Sequence, residues 1–274
     1  MDAKTVFQLL TRPRRGAATA DDVACLRSGT ARRATVQGHG LAGWSWGDAG
    51  PRIMLVHGWE SRASHLGHFV EPLRAAGFQV WAFDAPAHGD SPDSPASVVH
   101  HGKALLRIAQ EHGPFDGVLA HSAGSPAALY AFRHGMRVAS SVHVAGPASL
   151  ERVVRRLARA GALDVEETGK LLAMMEAFIG QALASMELEA LADGLRHPAL
   201  LLHDPADPEV PYEETALLAQ SWHGAKLVRM DGAGHRRIIR DPRTIAQTLA
   251  HFLETIPRAR VTGPGRRRRS SGVS

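Results

Sequence analysis

The sequence predicts an α/β fold, with a mostly parallel, doubly wound sheet and a small helical lid insertion. Short runs of β-branched and aliphatic residues alternate along the chain with segments of helical periodicity. These runs are continuously apolar, which is typical of strands buried on both faces of a parallel sheet. Between residues 147 and 195 the strand signal stops and helical amphipathicity replaces it. We interpret this segment as an insertion over the strand ends.

The elements follow from this alternation in chain order. Two short strands joined by a Gly-rich turn come first, at 34–37 and 41–46. The later strands are predicted at 53–56, 78–83, 116–120, 140–145, 199–203 and 226–230. Helices are predicted at 63–76, 96–112, from Ser122 to about 135, and at 242–255.

The chain divides into a core and three other parts. Residues 31–146 and 196–256 form the predicted α/β core, and residues 147–195 form the helical cap. Residues 1–30 are predicted to be an N-terminal extension, and residues 257–274 a basic, disordered tail.

Composition limits the class of protein. A chain of 274 residues with 44% hydrophobic and 22% charged residues is typical of a soluble globular domain. No apolar run approaches the roughly 20 residues of a membrane span, and residues 1–20 do not have the pattern of a signal peptide. The single cysteine, Cys25, excludes an internal disulfide. We therefore expect a cytoplasmic protein without a membrane span, and the sequence does not predict its oligomeric state.

The net charge of +5 comes from the tail. Residues 258–274 contain six arginines and no acidic residue, so the rest of the chain is close to neutral. Contact of the tail with nucleic acid or another polyanion is one interpretation. A solvated terminus without a partner is the favoured one.

The segment around Ser122 carries the strongest signal of chemistry. A buried strand delivers Ser122 into a turn flanked by the small residues Ala120 and Gly124, and a helix follows. Such a turn exposes the hydroxyl beside a helix N-terminus, where developing negative charge is stabilised. A helix N-cap is the alternative role for this serine, and the buried strand and small neighbours disfavour it. Asp207 and His235 follow downstream, in the order Ser, Asp, His.

Five segments together resemble the α/β-hydrolase fold superfamily, in its serine-nucleophile, esterase- and lipase-like branch. The resemblance extends from about residue 30 to residue 256 and departs at Ala120, where the family usually has glycine. The segments, each at the end of a predicted strand, are 57–59, 83–91, 120–124, 203–211 and 232–235.

This resemblance implies a role for each residue of a catalytic triad. Ser122 would be the nucleophile, which needs a base to remove its proton, and His235 would be that base. A carboxylate must orient the imidazole, and the resemblance places it at Asp207. Asp204 is the second candidate, because it lies closer to the strand end.

The oxyanion hole and the substrate pocket are predicted from the same resemblance. The backbone N–H groups of Trp59 and Ala123 would hold the oxyanion. Trp59, Met174, Met175 and Phe178 are predicted to line the pocket, although the insertion side chains could equally pack the lid onto the body. No metal and no cofactor is predicted, since the remaining histidines show no convincing metal-ligand pattern.

We therefore expect a serine hydrolase that cleaves a small to medium carboxylic ester through an acyl-enzyme. The small-molecule substrate is expected to be uncharged or weakly polar, because no basic cluster lies near the catalytic segments. An acyl thioesterase is one alternative. A non-catalytic ligand-binding protein on a hydrolase scaffold is the other.

Overall fold

A computed structural model describes residues 1–36, 38–146 and 148–257 of the chain. Gln37, at the end of the first predicted strand, Pro147, at the start of the predicted insertion, and the arginine-rich segment 258–274 lie outside the described residues. The strands are β1 (Thr30–Val36), β2 (His39–Trp46), β3 (Arg52–Val56), β4 (Gln79–Phe83), β5 (Gly117–His121), β6 (Ser140–Val144), β7 (Ala199–His203) and β8 (Ala225–Arg229).

These strands form one sheet in the order β1-β2-β4-β3-β5-β6-β7-β8. The hairpin β1–β2 and the pair β2–β4 are antiparallel, and every later pair in that order is parallel. The predicted fold class, a mostly parallel sheet with flanking helices, is thus confirmed. Because the carboxyl ends of the parallel strands share one edge, the loops that follow them converge there.

The α-helices are α1 (Ala3–Thr11), α2 (Ala20–Arg27), α3 (Val70–Ala75), α4 (Val98–His112), α5 (Gly124–Arg133), α6 (Leu150–Ala160), α7 (Val165–Ile179), α8 (Leu188–Ala192), α9 (Tyr212–Ser221) and α10 (Pro242–Thr255). Short 3₁₀ turns cover Ala63–Phe69, Leu183–Met186 and Ile238–Arg240. The predicted helix at 63–76 is therefore a 3₁₀ turn followed by the short α3. No helix in residues 1–36, 38–146 or 148–257 is long and apolar enough to cross a membrane.

The sheet is covered on both faces, as its continuous apolar strands predict. Alternate residues of β3 enter different cores: Met54 and Val56 belong to one buried cluster, Ile53 and Leu55 to the other. Leu119 of β5 joins the second cluster. The central strands are therefore buried on both sides, and their ends are held in fixed positions.

Helix α1, in the segment predicted as an N-terminal extension, packs against α6 and α7. The Asp2 carboxylate caps it by accepting from the Thr5 N–H at 2.8 Å. The Met1 amine donates to Gly161 O at 3.2 Å, and the Ala3 N–H donates to the Glu167 carboxylate at 2.7 Å. The N-terminal helix and the helical insertion therefore form one layer.

Burial lowers the pKa of several histidines far below the usual value of 6.5. The pKa falls to about 4 at His57, His88, His121 and His197, and to about 3 at His143. Loss of hydration of the charged ring is the main cause in each case, and repulsion from neighbouring histidines lowers the pKa further. These side chains are therefore neutral parts of the folded protein.

Acidification is expected to destabilise the protein below pH 6.5. The unfolded chain binds protons at these histidines near pH 6.5, whereas the folded chain binds them only near pH 4 or below, so stability is lost as pH falls through that window. Each histidine contributes a slope of up to about 1.4 kcal/mol per pH unit. Denaturant unfolding at roughly pH 7.5, above that window, and at roughly pH 6.5 and 5.5, within it, measures the effect.

Two buried carboxyl groups act in the opposite sense. Burial raises the pKa of Asp84 and of Glu214, so the folded state binds protons there more readily than the unfolded chain does. The histidines outnumber them, and the net free energy of unfolding should fall. A free energy of unfolding that stays constant or rises on acidification would contradict the neutral state of the buried histidines.

Candidate active site

Ser122 occupies a tight turn between β5 and α5. Its backbone is left-handed, with φ of 51°, a conformation that non-glycine residues adopt only when the surrounding structure holds them there. The Ser122 N–H donates to Val144 O, and the Ser125 N–H donates to Ser122 O, each at 2.9 Å. The turn therefore fixes the Ser122 side chain at the carboxyl edge of the sheet, beside the first turn of α5.

Close contacts explain the small residues around this turn. A Cβ on Gly124 would lie 2.5 Å from Val56 O, and a Cβ on Gly58 would lie 2.9 Å from Ser122 Cβ. Ala120, in the position where the family usually has glycine, is fully buried within β5. The alanine is thus accommodated in the strand, and the left-handed turn at Ser122 is formed beside it.

His235 reaches Ser122 from the loop that follows β8. Its Nε2 lies 2.9 Å from Ser122 Oγ, close enough to accept the hydroxyl proton. The loop passes through Gly232 and Gly234, whose φ values of 74° and 67° favour glycine. The backbone turns at these glycines, and the turn brings the His235 ring to Ser122 at the sheet edge.

Asp207 lies on the other side of the His235 ring. Its Oδ2 is 2.8 Å from His235 Nδ1, and its Oδ1 accepts the backbone N–H groups of Glu209 and Val210 at 2.8 and 3.0 Å. His203 Nε2 also lies 3.2 Å from Oδ2. Burial alone would raise the pKa of Asp207, but the hydrogen bonds from His203, His235 and the Val210 N–H hold it well below its usual range.

Asp204, the second candidate for the acid, has different partners. Its Oδ2 accepts the Gly234 N–H at 2.6 Å, and its Oδ1 accepts the Ala206 N–H at 3.0 Å. These bonds tie the loop after β7 to the loop that carries His235. Of the two aspartates, the structure brings only Asp207 into contact with the His235 ring.

His121 contacts the loop that carries His235, and the sequence did not predict this contact. Its Nε2–H donates to His235 O at 3.0 Å, and the two rings are 5.3 Å apart. Burial, with repulsion from His235 second, lowers the pKa of His121 to about 4. The neutral ring therefore fixes His235 without placing a second positive charge beside it. The position of His121, next to Ser122, is the only signal in the sequence.

The backbone N–H groups of Trp59 and Ala123 lie close to Ser122. In the part of the chain that the structure describes, neither donates a hydrogen bond to another protein group. Ala123 follows Ser122 directly, and Trp59 follows Gly58, whose Cα lies against Ser122. His57 braces this loop, because its Nδ1–H donates to Gly58 O at 2.8 Å and its Nε2 accepts the Ala85 N–H at 2.9 Å.

A family comparison agrees with this geometry. The model of the alpha/beta hydrolase family matches residues 53–248, which is more than half of the chain. The chain belongs to the alpha/beta hydrolase family. The predicted resemblance is therefore confirmed. No curated protein sequence matches the chain.

Solved structures share the fold of this hydrolase at low sequence identity. An esterase of Pyrococcus furiosus superposes with a TM-score of 0.67 at 19% identity, covering 91% of this chain and 99% of its own. The esterase Est1E of Butyrivibrio proteoclasticus, solved with ferulic acid bound, has a TM-score of 0.67 at 16% identity, with 82% and 98% covered. A Thermogutta terrifontis esterase has a TM-score of 0.61 at 20% identity, with 82% and 98% covered.

A cavity of about 490 Å³ opens above Ser122 and His235 in this hydrolase. The sheet-edge loops contribute Trp59, Ala123 and Val210 to its lining, and the layer above contributes α1 and α6. Its aliphatic side chains include Leu9, Leu10, Val98, Leu150, Val153 and Leu157. The mostly apolar wall suits a ligand with a hydrocarbon portion.

The structure corrects part of the predicted pocket. Trp59 and Met175 line the cavity, but Met174 and Phe178 do not. The Phe178 ring packs on the rings of Phe7 and His100, with centroids 5.5 and 4.7 Å apart. Phe178 therefore joins α7 to α1 and α4, in line with the alternative that these side chains serve packing.

Charged side chains also line the cavity, and its two glutamates, Glu60 and Glu209, are each paired with an arginine. Arg14 holds Glu60 through side-chain hydrogen bonds of 3.0, 3.2 and 2.9 Å, and Arg236 holds Glu209 at 2.8 Å. Glu209 also lies 3.7 Å from His235 Nε2. Across residues 1–36, 38–146 and 148–257, no group of three His, Cys, Asp or Glu side chains could hold a metal ion.

Proposed function

We propose that the chain is a serine hydrolase that cleaves a small to medium carboxylic ester through an acyl-enzyme. One observation carries the proposal. A continuous line of hydrogen bonds joins Ser122 Oγ to His235 Nε2 at 2.9 Å and His235 Nδ1 to Asp207 Oδ2 at 2.8 Å, at the base of a mostly apolar cavity. The esterases among the structures with this fold support the choice of an ester bond.

The first half of the reaction forms the acyl-enzyme. Ser122 Oγ attacks the ester carbonyl carbon while its proton passes to His235 Nε2. The carbonyl oxygen becomes an oxyanion, and the free N–H groups of Trp59 and Ala123 stabilise it. The intermediate collapses, the C–O bond to the alcohol breaks, and His235 returns the proton to the departing alkoxide.

The second half releases the acid. A water molecule gives its proton to His235 Nε2 and attacks the acyl carbon, and the bond to Ser122 Oγ then breaks as His235 returns the proton to that oxygen. Asp207 stays ionised throughout, because its hydrogen bonds hold its pKa well below the usual range. It stabilises the imidazolium that forms in both halves.

The helices of residues 147–195, together with α1, act as the lid over the acyl group, since α1 and α6 line the cavity.

The single cysteine favours a reducing compartment, so we place the enzyme in the cytoplasm.

Two measurements test this function. p-Nitrophenyl esters from acetate to dodecanoate should be hydrolysed, with an optimum at a chain length that the cavity accommodates. A fluorophosphonate should form a covalent adduct on Ser122, located by peptide mass spectrometry. An adduct on another residue, or the absence of both turnover and adduct, would overturn the proposal. Faster cleavage of acyl-CoA thioesters than of the matching esters would identify a thioesterase instead.

A further inference from the structure

Among the residues that the structure describes, two arginines in the cavity have no partner for their charge. Arg12, directly after α1, and Arg156, on α6, both line the cavity that contains Ser122. Among the described residues, neither guanidinium takes part in a hydrogen bond or an ion pair. Arg156 is half-buried, so part of its hydration is already lost, whereas Arg12 is exposed at the rim.

The other charges of the cavity do not neutralise them. Glu60 is held by Arg14 and Glu209 by Arg236, so each of these acids is already paired. Glu214 interacts electrostatically with Arg156 but forms no ion pair with it. Its carboxylate accepts the Ser149 N–H at 2.7 Å, and burial raises its pKa. The lining therefore presents two uncompensated positive charges to a ligand that enters the cavity.

We propose that the substrate ester carries a carboxylate away from the scissile carbonyl, and that Arg12 and Arg156 bind this group. The inference rests on the proposed ester hydrolysis and makes its substrate class more specific. A guanidinium pairs with a carboxylate through two parallel N–H···O bonds, which gives both affinity and orientation. The aliphatic side chains of the wall would surround the hydrocarbon chain between the two ends of the molecule.

This substrate differs from the uncharged ester that the sequence alone predicts. Arg12 and Arg156 are distant from the catalytic segments along the chain, so the sequence does not connect them with the site. Only folding brings them to the cavity above Ser122. Neither arginine contacts the hydrogen-bonded line of Ser122, His235 and Asp207. We therefore assign them to substrate selection and not to the chemical step.

Matched substrates separate charge from shape. The p-nitrophenyl monoesters of linear diacids from hexanedioic to decanedioic acid carry a terminal carboxylate, and their terminal carboxamides are neutral and nearly the same size. The wild-type enzyme should cleave the best carboxylate with a kcat/KM about tenfold higher than its carboxamide, as charge-assisted hydrogen bonds imply. Salt should reduce this preference.

Variants assign the preference to the two arginines. Arg12→Gln and Arg156→Gln should each raise KM for the carboxylate, and the double variant should cleave carboxylate and carboxamide equally. The readout is the ratio of kcat/KM for the carboxylate to kcat/KM for the carboxamide, measured for each variant. Arg159→Gln is the control. Arg159 lies on α6 like Arg156, but it is exposed and does not line the cavity. It should leave the preference unchanged.

The outcomes distinguish the two proposals. Equal rates on carboxylate and carboxamide in the wild type, or a preference that survives in the double variant, would overturn the anionic substrate while ester hydrolysis stands. If neither series nor the simple p-nitrophenyl esters are hydrolysed, the serine hydrolase itself fails, and the substrate inference fails with it.

Discussion

Replacement of Ser122 with alanine is expected to lower kcat for ester hydrolysis by about 10⁶-fold, to the level of the residual binding effects. The alanine has no oxygen to attack the carbonyl, and no other hydroxyl is bonded to His235 among the described residues. His235→Ala should cost about as much, and the double variant little more, because the two residues act as one unit. Rates on p-nitrophenyl esters and fluorophosphonate labelling measure the loss.

Ser125→Ala is the matched control for this loss. Ser125 lies in the same turn region, but its Oγ is fully buried and pairs with His143 Nδ1 at 2.5 Å. We expect a change in stability and a kcat within a few-fold of the wild type. Ser122→Ala with undiminished kcat, or Ser125→Ala with an equal loss, would show that the nucleophile has been assigned to the wrong serine.

The second large effect is expected at Asp207. Asp207→Asn should lower kcat by about 10⁴-fold, because an amide can direct its NH₂ to His235 Nδ1 and stabilise the tautomer that cannot accept the Ser122 proton. The change keeps the size of the side chain, so the fold should persist. Steady-state kinetics with a denaturation curve for each variant separate lost catalysis from lost folding.

Asp204→Asn provides the comparison. Its carboxylate bonds the Gly234 and Ala206 N–H groups and not the imidazole, so the asparagine keeps one acceptor oxygen and loses the other. The free energy of unfolding should fall by about 1–3 kcal/mol, with kcat reduced less than about tenfold. A larger loss of kcat in Asp204→Asn than in Asp207→Asn would assign the acid to Asp204.

The sequence predicts the sheet, and it predicts that the candidate catalytic residues lie at the carboxyl edge, because both depend on local patterns. A strand buried in a parallel sheet is mostly apolar, so β3, β4, β5 and β7 are recognisable without any tertiary information. In β6 the signal is weaker, because buried serines and a histidine accompany its two valines. The turn at Ser122 needs small neighbours for a local steric reason, visible as the contact that a Cβ on Gly124 would make. The loops after these strands must then meet at one edge, which brings His235 and Asp207 toward the serine.

The pocket could not be predicted in the same way, because its wall depends on which helix covers which face. Periodicity places Leu171, Met175 and Ile179 on one side of α7 and Phe178 beside it, but it does not identify the neighbour. Only the structure shows that Phe7 of α1 covers Phe178. Arg12 is likewise an ordinary surface arginine in the sequence, and α1 alone brings it to the cavity.

Because α1 packs on α6 and α7, part of the pocket wall and the reacting groups are encoded in different parts of the chain. Part of the cavity wall is encoded in the first 14 residues, outside the segment 53–248 that defines the family, while the sheet-edge loops that hold Ser122 and His235 lie within it. Mutation can therefore reshape ligand preference at Leu9, Leu10 or Arg12 without disturbing the reacting groups. A combinatorial library restricted to α1 and the facing side of α6 offers an economical route to altered selectivity, and grafted N-terminal segments from relatives offer another.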